Sequence, residues 1–198
     1  GFAAVSVSGD VGSAPKIDWK GQMSASGTDT KTLVEGDGPE LTKADTAYLG
    51  LVIANGYDEK TSFSSYDDGS GAQSVDLSDA QTLPTLTKAL IGAKVGSRVA
   101  IAAPAKDVFG EAGNTQLKIG NDDPVLLVLD VLGPYQPTAD FPATAKGTVP
   151  GVTVDKDGKP TKLTFAAKKP APGLTLTVIS KGTGPVVPKN GNVLVNYL

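Results

Sequence analysis

Apolar and polar positions alternate at the start of the chain. Phe2–Ser8 and Pro15–Lys20 carry the period-two pattern of half-buried strands, separated by the turn residues Gly9-Asp10 and Gly12-Ser13. A polar stretch, 24–31, reads as a connector. Thr32–Glu35 starts another strand, closed by Gly36-Asp37-Gly38-Pro39. Thr46–Ala54 is strongly apolar and stops at Asn55-Gly56, a turn signal. Asp67–Gly71 reads as a loop and Gln73–Leu77 as a short strand.

The period then changes. Leu83, Leu86, Leu90 and Ile91 fall at helical spacing, with Pro84 suited to the first turn and Gly92 to the stop. Val95–Ala103 returns to alternation, with Val99 and Ile101 on one face. Pro104–Asp123 reads as a long polar loop. Pro124–Leu132 is apolar at nearly every position, which predicts a central strand covered on both faces. Leu83, Leu86, Ile91, Val99, Ile101, Leu127 and Leu129 are expected to share one core.

From Gly133 to Pro150 the composition shifts to Pro, Ala, Thr and Gly, with Pro134, Pro137, Pro142 and Pro150, and reads as a semi-rigid linker. Beyond it the beginning of the chain recurs. Val5-Ser6-Val7 parallels Val152-Thr153-Val154, Ile17-Asp18-Trp19 parallels Leu163-Thr164-Phe165, and Gly36-Asp37-Gly38-Pro39 parallels Gly182-Thr183-Gly184-Pro185. Three matches in order, at a nearly constant offset, predict a duplicated unit. Its second copy stops at Leu198, before its own helix and central strand. The natural protein is therefore expected to be longer, or this end to pair with something else.

Composition narrows the chemistry. The 198 residues include no Cys and no His. That excludes thiol nucleophiles, Ser-His-Asp triads, disulfides and Cys/His zinc sites. Net charge is −3, and Arg98 is the only arginine, so the basic stripe of a nucleic-acid binder is missing. The longest apolar run is too short to span a bilayer. Ser13-Ala14-Pro15-Lys16 matches Ser-x-x-Lys without its companion motifs and reads as a turn. Asp67-Asp68-Gly69-Ser70 and Asp155-Lys156-Asp157-Gly158 lack the distal Glu of a calcium loop. No metal and no cofactor is expected. Any chemistry must come from carboxylates, lysine, hydroxyls, amides or an apolar pocket, and what remains to read is the order of elements and a set of apolar residues beside turns.

Residues 30–133 resemble an FKBP-type peptidyl-prolyl isomerase domain. Leu33-Val34-Glu35-Gly36-Asp37-Gly38 resembles that family's first strand and Gly-x-Gly turn, and Phe63-Ser64-Ser65-Tyr66-Asp67 its Phe-Asp-Ser-Ser segment. Leu90–Arg98 resembles its Leu-x-Gly-Met-Lys-Val-Gly-x-Arg stretch, the most specific match. Val108-Phe109-Gly110 resembles its Ala-Tyr-Gly, and Leu127–Val131 its last strand. Ile179–Gly184 with Val193–Leu198 looks like the start of a second such domain. The plan is similar to tandem-domain, exported lipoproteins of actinobacteria. The resemblance implies an α+β fold, an antiparallel twisted sheet wrapped around one short helix. Four segments follow: a β-rich extension (1–29), a divergent FKBP-like domain (30–133), a Pro-rich linker (134–150) and a repeat of the extension with a truncated second domain (151–198).

It also implies a site. The family's pocket tyrosine falls at Tyr48 or, with fewer deletions upstream, at Leu51. The pocket phenylalanine falls at Phe63. Ser64 replaces the aspartate beside it, with Asp67 placed to compensate. Leu83 offers its backbone amide to a substrate carbonyl. Leu86 replaces the floor tryptophan, Phe109 the tyrosine before glycine, and Leu129 the late phenylalanine. Val75 and Leu77 lie near the remaining aromatic position. The implied function is peptidyl-prolyl cis-trans isomerisation that assists the folding of exported proteins. The implied partners are proline-containing peptides or unfolded proteins and an FK-type macrolide. The implied location is extracellular or in the cell envelope, with a lipid anchor before residue 1. The first domain is alternatively a non-catalytic binding or chaperone module, or the chain a structural β-rich envelope protein. Strands in 176–198 are expected to pair with another chain.

Overall fold

The computed structural model describes residues 1–67, 71–133, 142–147, 149–155 and 160–166, with Leu176, Val178, Lys181, Val186 and Val187. They fall into two compact units, the first holding residues 1–133 and the second the described residues from 142 onward.

The first unit opens with a single 3-10 turn, Phe2–Ala4, and a hairpin of β1 (Val5–Ser8) and β2 (Lys16–Trp19), with Val5 opposite Trp19 and Val7 opposite Ile17. Strands β3 (Asp29–Val34), β4 (Thr46–Asn55), β5 (Lys60–Ser64) and β6 (Gln73–Asp76) follow. Next come helix α1 (Pro84–Leu90), β7 (Arg98–Pro104), the four-residue α2 (Lys106–Phe109) and β8 (Pro124–Gly133). β3, β7, β8, β4 and β5 lie side by side in that order, and β6 pairs with the remaining length of β4. Every pairing is antiparallel. The α+β class predicted from the sequence, a sheet packed on one short helix, is the class observed.

Alternation along the central strands gives each face its own core. Leu49, Ile53, Val99, Ile101, Leu127 and Leu129 turn toward α1 and α2 and pack with Leu41, Leu77, Leu90, Val108 and Ile119. Val52, Ala54, Ala100, Ala102, Leu126 and Val128 turn the other way. Val5, Met23, Phe2, Val7, Ile17 and Trp19 cover them. The N-terminal hairpin therefore roofs the face that α1 does not. This is why β8 is apolar on both sides, as its sequence predicts.

Several expectations are corrected, the first being that Phe2–Ser8 is all strand, since Phe2–Ala4 forms a 3-10 turn. Leu83 is 37% and Ile91 41% exposed, so neither joins the core. They are the cap residues of a helix about two turns long, and Ala89 and Leu90 fill its buried side. Leu86 is only half-buried. The stretch 104–123 is not all loop, because α2 buries Val108 and the return segment buries Ile119. Strand β5 has no apolar alternation to announce it, and β3 begins inside the expected connector.

The second unit holds the antiparallel hairpin β9 (Gly151–Val154) and β10 (Pro160–Thr164). Val152 lies opposite Leu163. At the matching places of the first hairpin, Ile17 faces Val7 instead, so the register differs by one residue pair on each face. Part of the proline-rich stretch is ordered beside it, since the Val152 N–H donates to the Pro142 carbonyl at 2.8 Å. Pro134 and Pro137, and the segment 176–198 apart from its five described residues, lie outside the described residues.

Candidate functional site

The apolar site grows from one row of the sheet. Val99 of β7 faces Leu129 of β8, which faces Leu51 of β4. On the same face Phe63 of β5 lies opposite Ile53, and Val75 of β6 opposite Ala47. Leu51, Phe63, Val75, Leu86 and Phe109 are all half-buried and pack against the core that contains Leu77 and Leu129. The structure thus gathers seven apolar side chains from six elements or their ends, with aromatic rings only at Phe63 and Phe109.

Alternation along β4 sets which face each residue takes. Ala47 and Leu49 face the α1 core. Tyr48, between them, faces away, and Leu51 takes the position beside Leu129. Asp67 is exposed and joins the set only through its backbone N–H, which donates to the Ser64 carbonyl at 3.4 Å. The Ser64 hydroxyl accepts the Tyr66 N–H at 3.2 Å.

Helix α1 begins at Pro84, just before Leu86. Leu83 is the N-cap of α1, and its carbonyl accepts the N–H groups of Leu86 and Thr87 at 3.0 and 3.1 Å. Its own N–H meets no acceptor among the described residues. Among the described residues no cluster of acidic side chains could hold a metal ion.

The opposite face carries the charge. Arg98 and Asp130, each 1% exposed, are neighbours across β7 and β8. The guanidinium forks onto the carboxylate, Nε to Oδ1 at 2.6 Å and Nη2 to Oδ2 at 2.7 Å. Its other protons go to the carbonyls of Ser8, Gly9, Asp10 and Ser13 in the hairpin turn. Asp130 Oδ2 also accepts the Gly12 N–H at 2.7 Å and the Tyr66 hydroxyl. Burial opposes the charged guanidinium, but the bonds and charge of Asp130 outweigh it and hold Arg98 above its ordinary range. Sequence reasoning missed this cluster. A lone aspartate inside an apolar, doubly covered strand, in a chain with one arginine, was the signal available.

Burial, then the hydrogen bond to Asp130, push the Tyr66 hydroxyl well above its ordinary value of 10.0. The unfolded chain therefore releases this proton first. The stabilisation is complete below pH 10.0 and is lost as pH rises beyond it. Urea unfolding at several pH values between about 8 and 11 should show this loss in the wild type. Tyr66→Phe should flatten it, and an equal slope in both proteins would contradict the buried phenol.

No family model matches the sequence, and no curated protein matches it. Several solved structures are similar to it. FkpA from Escherichia coli shares 23% identity, over 58% of this chain and 51% of that one, at a TM-score of 0.46. A peptidyl-prolyl cis-trans isomerase from Pseudomonas syringae pv. tomato shares 19%, over 54% and 74%, at 0.44. The N-terminal domain of FKBP42 from Arabidopsis thaliana shares 18%, over 63% and 98%, at 0.48. The chain thus spans about half the length of the Escherichia coli protein.

Proposed function

We propose that the first unit is an FKBP-type peptidyl-prolyl cis-trans isomerase. The observation that supports this most directly is the meeting of Leu51, Phe63, Leu86, Phe109 and Leu129 on one core, with the Leu83 N–H, which has no acceptor among the described residues, at the start of α1. Amide resonance sets a barrier of about 18–20 kcal/mol to rotation about an X-Pro bond. No nucleophile is needed to lower it. An apolar wall favours the twisted amide, which is less polar than the planar one, and a fixed donor holds the peptide while it turns. In this reading Phe63 and Phe109 enclose the proline ring, Leu51 and Leu86 form the floor with the buried Leu129 packed behind them, and Leu83 binds a carbonyl. An FK-type macrolide would occupy the same wall.

The same proposal takes the chain as an exported, lipid-anchored protein of the cell envelope that assists the folding of other exported proteins. It takes the second unit as a repeat of the extension that leads into a second domain. It also includes pairing of 176–198 with another chain. Sedimentation of the full chain and of a version ending at Gly133 tests that pairing, and monomers in both cases would reject it.

A protease-coupled proline-peptide assay tests the activity. Turnover should be weak, because Ser64 and Leu86 stand where the family has an aspartate and a tryptophan. Phe63→Ala should remove it, a loss of roughly 10-fold or more. Those same two residues favour a second reading, a binding module that holds proline segments without turning them over. Saturable peptide binding with no turnover would decide for it.

A further inference from the structure

The apolar wall and the buried charges sit on opposite faces of the same three strands, one residue apart. Val99, Leu129 and Leu51 form one cross-strand row, and Arg98, Asp130 and Gly50 the adjacent one. Gly50 leaves a gap in the second row, and the Tyr66 ring fills it. A Cβ at Gly50 would overlap the Tyr66 hydroxyl and come within 2.6 Å of its Cζ. The ring lies over Gly50 and ends on Asp130.

Tyr66 closes the segment that carries Phe63. Behind Phe63, Ser65 grips β4 twice, its N–H donating to the Leu51 carbonyl and its hydroxyl accepting the Leu51 N–H, both at 2.8 Å. The Tyr66–Asp130 bond anchors the far end of that segment. Asp130 is in turn bound by the Gly12 N–H and by Arg98, which also bonds carbonyls of the N-terminal hairpin turn.

We propose that Tyr66 is a positioning residue for the apolar site: its hydroxyl, held by Asp130, fixes the segment 63–66 and with it the Phe63 wall. This rests on the reading of that face as a proline site. The wall is then no more rigid than its attachment to the hairpin-covered face. Tyr66 touches no substrate and acts through Phe63.

The test compares Tyr66→Phe with the wild type in the full chain. Amide hydrogen exchange at 63–66 should quicken. Emission of Trp19, the only tryptophan and part of the hairpin, should not change. KM for a proline peptide, or Kd if there is no turnover, should rise roughly 3–10-fold, with kcat changed less. Gly50→Ala keeps the phenol but closes its lane, and should give the same signature should Tyr66→Phe fold poorly. Unchanged exchange at 63–66 overturns the proposal, and so does faster exchange with unchanged peptide affinity. If the wild type neither binds nor turns over proline peptides, the proline reading fails. Exchange alone then decides whether Tyr66 holds the segment.

Discussion

Asp130→Ala is expected to lower the unfolding free energy by about 3–5 kcal/mol, because it leaves a buried guanidinium without its counter-charge. Arg98 would keep only neutral carbonyls, those of Ser8, Gly9, Asp10 and Ser13. The Tyr66 hydroxyl and the Gly12 N–H would lose their acceptor at the same time. Urea denaturation at neutral pH measures the loss. A change within about 0.5 kcal/mol, as at an ordinary surface site, would mean that water reaches the cluster. The hairpin should loosen with the domain, so Trp19 emission is expected to shift before global unfolding.

Leu129→Ala should cost about 2–5 kcal/mol, the range for deleting a large aliphatic side chain from a closed core. Leu129 is 0% exposed, between Val99 and Leu51 in the central row. The cavity would open directly behind the Leu51 wall, so peptide affinity should fall with stability. Leu83→Ala is the matched control: Leu83 is 37% exposed, and its proposed contribution is a backbone N–H that alanine keeps. Its effect on stability should stay near or below about 0.5 kcal/mol. Equal losses at the two positions would contradict the core described above.

The sequence was most legible where burial imposes a period. β4 and β8 are long, and their apolar residues have no other explanation, so both stand out unaided. Pro84 and Gly92 bracket α1 for backbone reasons, and Gly92 does take a φ of +85°. β5 was not legible because Lys60–Ser64 lies at the sheet edge and only half-buries its one large side chain, Phe63. α2 is a single turn within a polar run, where no period can register. Leu83 and Ile91 fitted a helical stripe by spacing, but spacing does not say where a short helix ends. The charge cluster joins residues that no local window contains. Its members are a turn at the start of the chain, Tyr66, Arg98 and Asp130. The faces of Tyr48 and Leu51 follow from the parity of β4, which became visible once Ala47 and Leu49 were seen to face α1.

The position of β8 governs how this unit can assemble. The last strand of the sheet to be synthesised is the one that lies between β7 and β4. Until it inserts, β4 and β7 have no shared neighbour, and the hairpin made first has no completed face to cover. Arg98 must also find its carbonyl partners 85 to 90 residues earlier in the chain. Such non-local closure places folding in the slow range, roughly milliseconds to seconds, typical of sheets with distant pairings. It also makes folding on the ribosome all-or-none with respect to one segment. A chain interrupted before Pro124 leaves two apolar faces and two strand edges open, and its expected fate is aggregation rather than a partly folded domain.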